Sequence, residues 1–240
     1  MINLIQGDCL QKIKDIPDNS VDLVLTDPPY NIAEGAVPVY DTRYKDGVSR
    51  KIGLEAEWDK FSDEDFLSLI GQLVTETKRV LKPSGTFYCF TSDRYLSDIR
   101  RMVRSSGMVY RQTCVWIKSN PVPQVRKVKY MHATELFFLA HKEKGHDSFR
   151  WENGQHCNCF YHPIVGGHER TKHPTQKPVW LMEELIKYST KEGDTVLDPF
   201  MGSGTTGVAA KKMNRNFIGI ELNDEYMGFA KARINNGVLI

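Results

Sequence analysis

Short apolar runs alternate with longer segments of helical period along this chain. Ile2-Asn3-Leu4-Ile5-Gln6 predicts a strand that stops at Gly7-Asp8, and a brief helix and the Pro17-Asp18-Asn19-Ser20 turn lead to a second apolar run, Val21 to Leu25. Ser62, followed by three acids, caps a helix whose apolar positions are Phe66, Leu69, Ile70, Leu73, Val74, Val80 and Leu81. Lys78-Arg79 in its last turn suit the helix dipole, and Lys82-Pro83-Ser84-Gly85 stops it. A buried strand from Thr86 to Phe90 is followed by a helix capped by Ser92 and ended at Gly107, then by strands over Val109–Ile117 and Glu135–Ala140. Beyond a stretch at 142–172 without a clear period come a helix from Val179 to about Thr190, a strand Thr195–Asp198, a Gly-rich turn and an apolar helix. A strand from Phe217 ending at Glu221 and a helix from about Asn223 to Ile234 complete the pattern. Strands and helices in this alternation predict an open α/β sheet.

The second apolar run ends in Thr26-Asp27-Pro28-Pro29-Tyr30. Two prolines have no N–H and fix their own φ, so the turn is stiff and leaves carbonyls pointing outward. A carboxylate, free carbonyls and an aromatic face then sit at a strand's C-terminal end, where open α/β sheets bind ligands. Such a set can accept both hydrogens of a flat exocyclic amine and stack on its ring. A rigid strand-to-loop turn without chemistry is the plainer reading, and a second site has to decide between them.

That second site is Asp198-Pro199-Phe200-Met201-Gly202-Ser203-Gly204-Thr205-Thr206 between strand and helix, with Glu221 ending the next strand 23 residues after Asp198. Gly202 and Gly204 let backbone approach a ligand, the helix N-terminus favours an anionic group, and Glu221 can accept from both ribose hydroxyls. The glycine spacing is not Gly-x-Gly-x-x-Gly and no Gly-Lys-Ser/Thr follows, which counts against a dinucleotide enzyme and a P-loop ATPase. A ligand with an adenosine-like ribose and a carboxylate remains, and S-adenosylmethionine has both.

With 240 residues, 40% hydrophobic and 26% charged, the chain has the make-up of one large α/β domain. Net charge is only +2, yet Arg94 to Lys144 holds eleven Lys/Arg against three Asp/Glu, with Tyr95, Tyr110, Trp116 and Tyr130 interleaved. Clustered cations among aromatics suit a nucleic-acid backbone and stacked bases, although solvated helix and loop faces would read the same way. Five cysteines form no even framework, so reduced thiols of a cytosolic protein are expected; no signal peptide or membrane-spanning run is visible. His156, Cys157, Cys159 and His162 lack the paired spacing of zinc sites, and no metal is expected. Residues 31–60 lack a period and read as a mobile loop with Trp58-Asp59 anchoring its far end.

Asp27-Pro28-Pro29-Tyr30 together with Asp198-Pro199-Phe200-x-Gly202-x-Gly204 resembles the S-adenosylmethionine-dependent amino-methyltransferases of DNA. With the catalytic turn ahead of the cofactor loop, the order resembles their β class. His173-Pro174-Thr175-Gln176-Lys177-Pro178 is similar to the cofactor-binding motif that class places just upstream of the loop, and Gly7-Asp8 to its adenine-side element. The resemblance spans nearly the whole chain. It implies a Rossmann-like methyltransferase fold with a mostly parallel seven-stranded sheet, helices on both faces and a circularly permuted order.

Carried over by position, the resemblance implies a catalytic turn of Asp27, Pro28, Pro29 and Tyr30. It places Asp8, beside Cys9, and Glu221 on the cofactor's adenine and ribose. Phe200 packs alongside, Thr175 and Thr205 lie near the methionine carboxylate, and Asp198, Pro199, Gly202, Ser203 and Gly204 line the floor. Arg94, Arg126, Lys127, Lys129 and Tyr130 are the DNA-contacting candidates, with 118–172 as the target-recognition insertion. Double-stranded DNA is the implied partner and homodimerisation is common in the class; no residue here specifies a cognate restriction endonuclease. The implied reaction is methylation of the N6 amino group of adenine. Cytosine N4 is the rival, since family members acting on cytosine more often carry Ser at the position of Asp27. RNA methylation, and a DNA- or cofactor-binding regulator without turnover, are further readings.

Overall fold

The apolar runs assemble into one eight-stranded sheet with three α-helices on each face. In this computed structural model the described residues are 1–31, 40–43, 49–52, 59–123, 128–145 and 149–236. In chain order the elements are β1 (Ile2–Gln6), α1 (Cys9–Lys12), β2 (Val21–Thr26), β3 (Tyr40–Arg43), β4 (Ser49–Ile52), α2 (Asp63–Val80) and β5 (Leu81–Thr91). Then come α3 (Leu96–Ser105), β6 (Val109–Lys118), β7 (Thr134–His141) and β8 (Cys159–His162). The last are α4 (Val179–Ser189), β9 (Thr195–Asp198), α5 (Thr205–Lys212), β10 (Asn216–Glu221) and α6 (Asp224–Asn236).

The sheet order is β1-β10-β9-β2-β5-β7-β6-β8. Pairings from β1 through β5 are parallel, β7 runs antiparallel to both β5 and β6, and β8 is parallel to β6. The Rossmann-like, mostly parallel arrangement, with the strand that ends in the Asp27 turn (β2) ahead of β9 and β10, is the expected one. The expected seven strands become eight because Cys159–His162 pairs with the edge of β6. Four residues are too few to show an apolar period among the surrounding polar positions.

Side-chain alternation explains the two layers. Leu23 and Leu25 of β2 point into a core shared with Val179, Leu181 and Leu185 of α4, Val208 of α5 and Ile234 of α6. Val24, between them, enters the opposite core with Ile13, Phe66 and Ile70 of α2, and Ile99 of α3.

Ser62 caps α2 as its sequence predicts, accepting from the Asp65 N–H at 3.1 Å. Ser92 does not cap α3. That helix starts at Leu96 after a turn in which Leu96 N–H donates to the Asp93 carbonyl, and the Ser92 hydroxyl reaches the Tyr30 carbonyl instead. The Lys82–Gly85 stop also proves to be a bulge inside β5, where the register jumps from Val21↔Leu81 to Leu23↔Thr86. The expected mobile loop 31–60 falls largely outside the described residues. Within it, the backbones of β3 and β4 pair as an antiparallel hairpin, Tyr40↔Ile52 to Arg43↔Ser49. Among the described residues no helix is long and apolar enough to cross a membrane.

Gly204 sits at the junction of the cofactor-side loop and α5 with φ +78°, and a Cβ there would lie 2.9 Å from Ala230 Cα in α6. Gly204→Ala combines a left-handed non-glycine with a backbone clash, so a loss of about 2–4 kcal/mol is expected. Urea denaturation checks it, and a variant as stable as the parent would refute the packing role.

Candidate active site

The C-terminal ends of β1, β2, β9 and β10 open into one cleft of about 770 Å³. A parallel sheet places ligands there, at the point where neighbouring connections diverge. The lining brings together Asp8, Cys9, Asp27, Pro28, Pro29, Tyr30, Thr175, Asp198, Pro199, Phe200, Gly202, Ser203, Thr205 and Glu221. Fourteen of the fifteen cofactor and catalytic candidates therefore share one cavity. Gly204 is the exception. It faces α6, so its freedom serves helix packing rather than approach to a ligand.

Asp198 joins the two halves of the cleft. Its Oδ1 accepts from the Thr26 hydroxyl at 2.9 Å and from Phe200 N–H at 3.1 Å, and its Oδ2 accepts from the Thr206 hydroxyl at 2.6 Å. Burial pushes its carboxyl up to about 7 against these donors, which pull it down. It is a brace between β2, the loop and α5 as much as a piece of the floor.

Asp27 stands at the end of β2 inside a charge network. Its Oδ1 accepts from Tyr30 OH at 2.6 Å, and its Oδ2 is in contact with Lys177 Nζ. Lys177 Nζ also lies 3.1 Å from Glu135 of β7, and Glu135 pairs with Lys118 of β6 at 2.8 Å. Burial pushes the Asp27 carboxyl up, the Lys177 ammonium pulls it back, and Glu135 adds to the rise. Burial would raise Glu135 as well, but Lys177 and Lys118 hold it below its usual range. The Lys177 ammonium lies over the rings of Tyr30 at 5.2 Å and Phe90 at 5.0 Å.

The stiff turn is held from below. Asp59 Oδ1 accepts from the N–H groups of Tyr30 at 2.6 Å and Asn31 at 2.7 Å, so the predicted anchor of the loop's far end acts on the Asp27–Tyr30 turn itself. Trp58 lies outside the described residues. Asn31, at φ 52°, donates to Tyr95 OH and accepts from Phe61 N–H.

On the other side of the cleft, Glu221 Oε2 accepts from Gly202 N–H at 2.8 Å and Oε1 from Asn223 N–H at 2.7 Å. Burial raises its carboxyl, and these amide donors oppose the rise. The carboxylate is thus fixed while each oxygen keeps a lone pair for a ligand hydroxyl. Asp8 caps α1 through Gln11 N–H at 3.0 Å, and burial drives the neighbouring Cys9 thiol up to about 12. Cys9 is therefore an inert wall, not a nucleophile.

The segment His173–Pro178 is shaped by Gln176, which accepts from Thr171 and donates to the Glu169 carbonyl at 2.7 Å. His173 lies against Gly202, whose Cβ position is 3.0 Å from its Nε2, and packs on the Tyr226 ring at 4.4 Å. Burial, then the charges of Lys177, Arg170 and Arg233, lower its pKa to about 4. Arg233 of α6 is almost wholly buried. One guanidinium nitrogen donates to the Ser203 carbonyl at 2.8 Å and to the hydroxyls of Ser203 and Thr205 at 3.1 Å, holding the loop from behind.

The basic segment divides. Lys142 is buried and ties Asn19 to the Leu81 carbonyl, Arg101 pairs with Asp98, and Arg100 covers the Tyr110 ring. Arg94 forms a two-point pair with Asp63 and lies over Tyr95, a pairing that a phosphate would have to displace. Lys129 is exposed and Tyr130 is 96% exposed in the β6–β7 connection; Arg126 and Lys127 lie outside the described residues. Within 118–172, β7 and β8 are strands of the sheet, so only their connections stand free of it.

His156 stacks on Phe160 and His162 on Trp180, so both imidazoles act in packing. Among the described residues no three His, Cys, Asp or Glu side chains group as a metal site would require.

Sequence reasoning missed Lys177, Glu135, Arg233 and Tyr226 as parts of the site. Lys177 stood inside a quoted motif, and Glu135 was one of only three acids in the basic segment. Arg233 and Tyr226 carried no local signal, since a helix's buried face does not say which loop it touches.

Comparison with known proteins points the same way. The sequence model of a DNA methylase family covering N6 and N4 enzymes matches residues 21–232. The chain is 32% identical over 248 residues to Type II methyltransferase M.HinfI of Haemophilus influenzae, covering 96% of this chain and 67% of that protein. It is 32% identical over 251 residues to Type II methyltransferase M2.LlaDCHI of Lactococcus lactis subsp. cremoris, covering 98% and 89%. The crystal structure of the M1.HpyAVI–SAM complex superposes with a TM-score of 0.77 at 32% identity, over 98% of this chain and all of that one.

His173 makes the fold acid-sensitive. The unfolded chain takes up a proton near the ordinary 6.5 while the folded one resists until about 4, so stability is lost as pH falls through that window. Urea midpoints at about pH 7 and about pH 5 should differ less in His173→Gln than in the parent. Equal pH dependence in the two would refute a neutral buried imidazole.

Proposed function

Because the chain belongs to the β class of the N6/N4 DNA methylase family, which uses S-adenosylmethionine, we propose that it methylates the N6 amino group of adenine in double-stranded DNA. The carrying observation is that Asp27, followed by the Pro28 carbonyl, opens onto the same cleft as the Gly202 loop and Glu221. Asp rather than Ser at position 27 favours adenine over cytosine N4.

The residues present fit the cofactor. A cleft of about 770 Å³ is within the range of small-molecule sites. Glu221 and Asp8 offer acceptors for ribose and adenine, Phe200 an apolar wall, and Thr175 and Thr205 hydroxyls for the carboxylate. Ser203 and Thr205 are steadied by the Arg233 cation. When bound, the cofactor supplies an electrophilic sulfonium methyl group.

The adenine amine is a weak nucleophile because its lone pair is delocalised into the ring. Asp27 and the Pro28 carbonyl accept its two hydrogens, favouring a pyramidal nitrogen with its lone pair turned toward the methyl donor. Positioning and fixed electrostatics therefore provide most of the acceleration. Asp27 need not be a strong base, since an N-methylated ammonium on the ring is a good acid. Tyr30, tied to Asp27 by its hydroxyl, presents its ring to the base.

The target base must leave the duplex, at a cost of roughly a few kcal/mol. Stacking on Tyr30 and phosphate contacts from Lys129, and from Arg94 once it leaves Asp63, offset it, with Tyr130, next to Lys129 in the chain, exposed for a second aromatic contact. Binding should weaken steeply with salt.

The deciding experiment methylates unmodified DNA with labelled cofactor, digests it to nucleosides and maps the sites. N6-methyladenosine is expected; N4-methylcytosine would establish the rival, and no label would point to a regulator. Asp27→Ala should lower turnover by at least about 100-fold while cofactor binding persists. Glu221→Ala should weaken the cofactor by about 10-fold or more and leave DNA binding intact. Unchanged calorimetric affinity in that variant would remove the ribose role.

A further inference from the structure

We infer that Lys177 is a positioning residue for methyl transfer, holding Asp27 charged and aimed at the incoming amine while Glu135 sets how strongly it does so. The inference rests on the reading of Asp27 as the amine's acceptor. The His173–Pro178 segment is similar to a cofactor-binding motif, and His173 and Thr175 do face the cofactor side. The Lys177 ammonium points the other way. Both of its carboxylate contacts, Asp27 and Glu135 at 3.1 Å, belong to the catalytic side of the cleft. Lys177 is 5% exposed, and the rings of Tyr30 and Phe90 flank its ammonium, so it has little freedom to reorient.

The groups around Asp27 form a balanced set. From its own turn comes Tyr30 OH at 2.6 Å, from the segment before α4 comes Lys177, and from β7 comes Glu135. Lys118 of β6 faces Glu135 rather than Asp27, and the Asp27 charge in turn reaches Asp198 and the Cys89 thiol of β5 through space, raising both. Two cations meet two carboxylates beside the Tyr30 and Phe90 rings at the wall of the cleft. An enclosed carboxylate without its cation would take up a proton and lose an acceptor position. Tyr30 OH occupies Oδ1 and Lys177 occupies Oδ2, each leaving a lone pair, so the carboxylate cannot swing when the base arrives. Glu135 competes for the same ammonium and thereby tunes the charge felt at Asp27.

The test compares Lys177→Met and Glu135→Gln with the parent. Lys177→Met should lower kcat by about 100-fold while the cofactor Kd stays within about threefold, and should move the acid limb of the kcat profile up by about one pH unit or more. Glu135→Gln should move that limb the opposite way, because it leaves Asp27 as the sole carboxylate beside Lys177. Lys177→Arg, which keeps the charge, should restore part of kcat. In the cofactor-free protein, the ¹³C carboxyl resonance of Asp27, assigned by its loss in Asp27→Asn, should titrate higher in Lys177→Met and lower in Glu135→Gln. Opposite shifts are not what a packing role produces. Acid limbs and resonances that coincide with the parent, or that shift together, overturn the inference, as does a parental kcat in Lys177→Met. If Asp27→Ala itself keeps turnover, the reading of Asp27 fails first; if that variant is inactive and the shifts are missing, only the role of Lys177 fails.

Discussion

One buried carboxylate holds the site together. Asp198 ends β9, Thr26 ends β2, and these residues are 172 positions apart, yet their side chains meet at 2.9 Å. The same carboxylate accepts from the Thr206 hydroxyl in the first turn of α5 and from the Phe200 amide of the loop. At the other end of the same strand pair, Asp22 accepts from Thr195 N–H at 2.9 Å and binds Lys82 at 2.8 Å. The β2–β9 seam is therefore pinned at both ends. Because that seam is where the Asp27–Tyr30 turn and the Gly202 loop adjoin, the separation between the two is set by sheet geometry rather than by flexible side chains.

Around the seam the two halves of the cleft are steadied by different physics. On the catalytic side the means are ionic, with Lys177 and Lys118 balancing Asp27 and Glu135 among aromatic rings. On the Glu221 side they are hydrogen bonds: the Gly202 and Asn223 amides donate to the Glu221 carboxylate, and one buried guanidinium donates to the Ser203 carbonyl. On the reading of Asp27 proposed above, a half that shapes a neutral amine gains from charge. A half that must admit and release a ligand at every turnover gains from a fixed backbone with acceptors left over.

The legible parts of this molecule were those whose chemistry is written in consecutive residues. Asp27 to Tyr30 and Asp198 to Thr206 each carry a carboxylate, a stiff or glycine turn and a strand end in one short string. Their order also conveyed the permuted fold. The unbroken apolar run Val21 to Leu25 read as a strand. What was not legible depended on who meets whom. Lys177 could be quoted within its motif, but nothing in the string says that its stem bends toward β2 and away from the glycine loop. Glu135 read only as the start of a strand. Gly204 looked like a ligand-facing glycine because its neighbour Gly202 is one; Ala230 behind it comes from a helix read separately. Four-residue β8 is too short to carry a period. Lys142 counted toward a basic face, whereas its long stem lets it reach an interior carbonyl.

The strand order has a bearing on how the molecule is made. β1 borders only β10 within the sheet, Ile2 beside Phe217, and β2 gains its second neighbour only when β9 exists. A chain emerging from the ribosome can seat β2, β5, β7 and β6 with α2 and α3 long before β9 and β10 are synthesised. Through that interval β2 is an edge strand, apolar over Leu23 to Leu25, with its hydrogen-bonding groups open to any other extended chain. The half-made protein thus carries the Asp27 turn without the Gly202 loop, and its most adhesive surface is the one the finished protein hides at its centre.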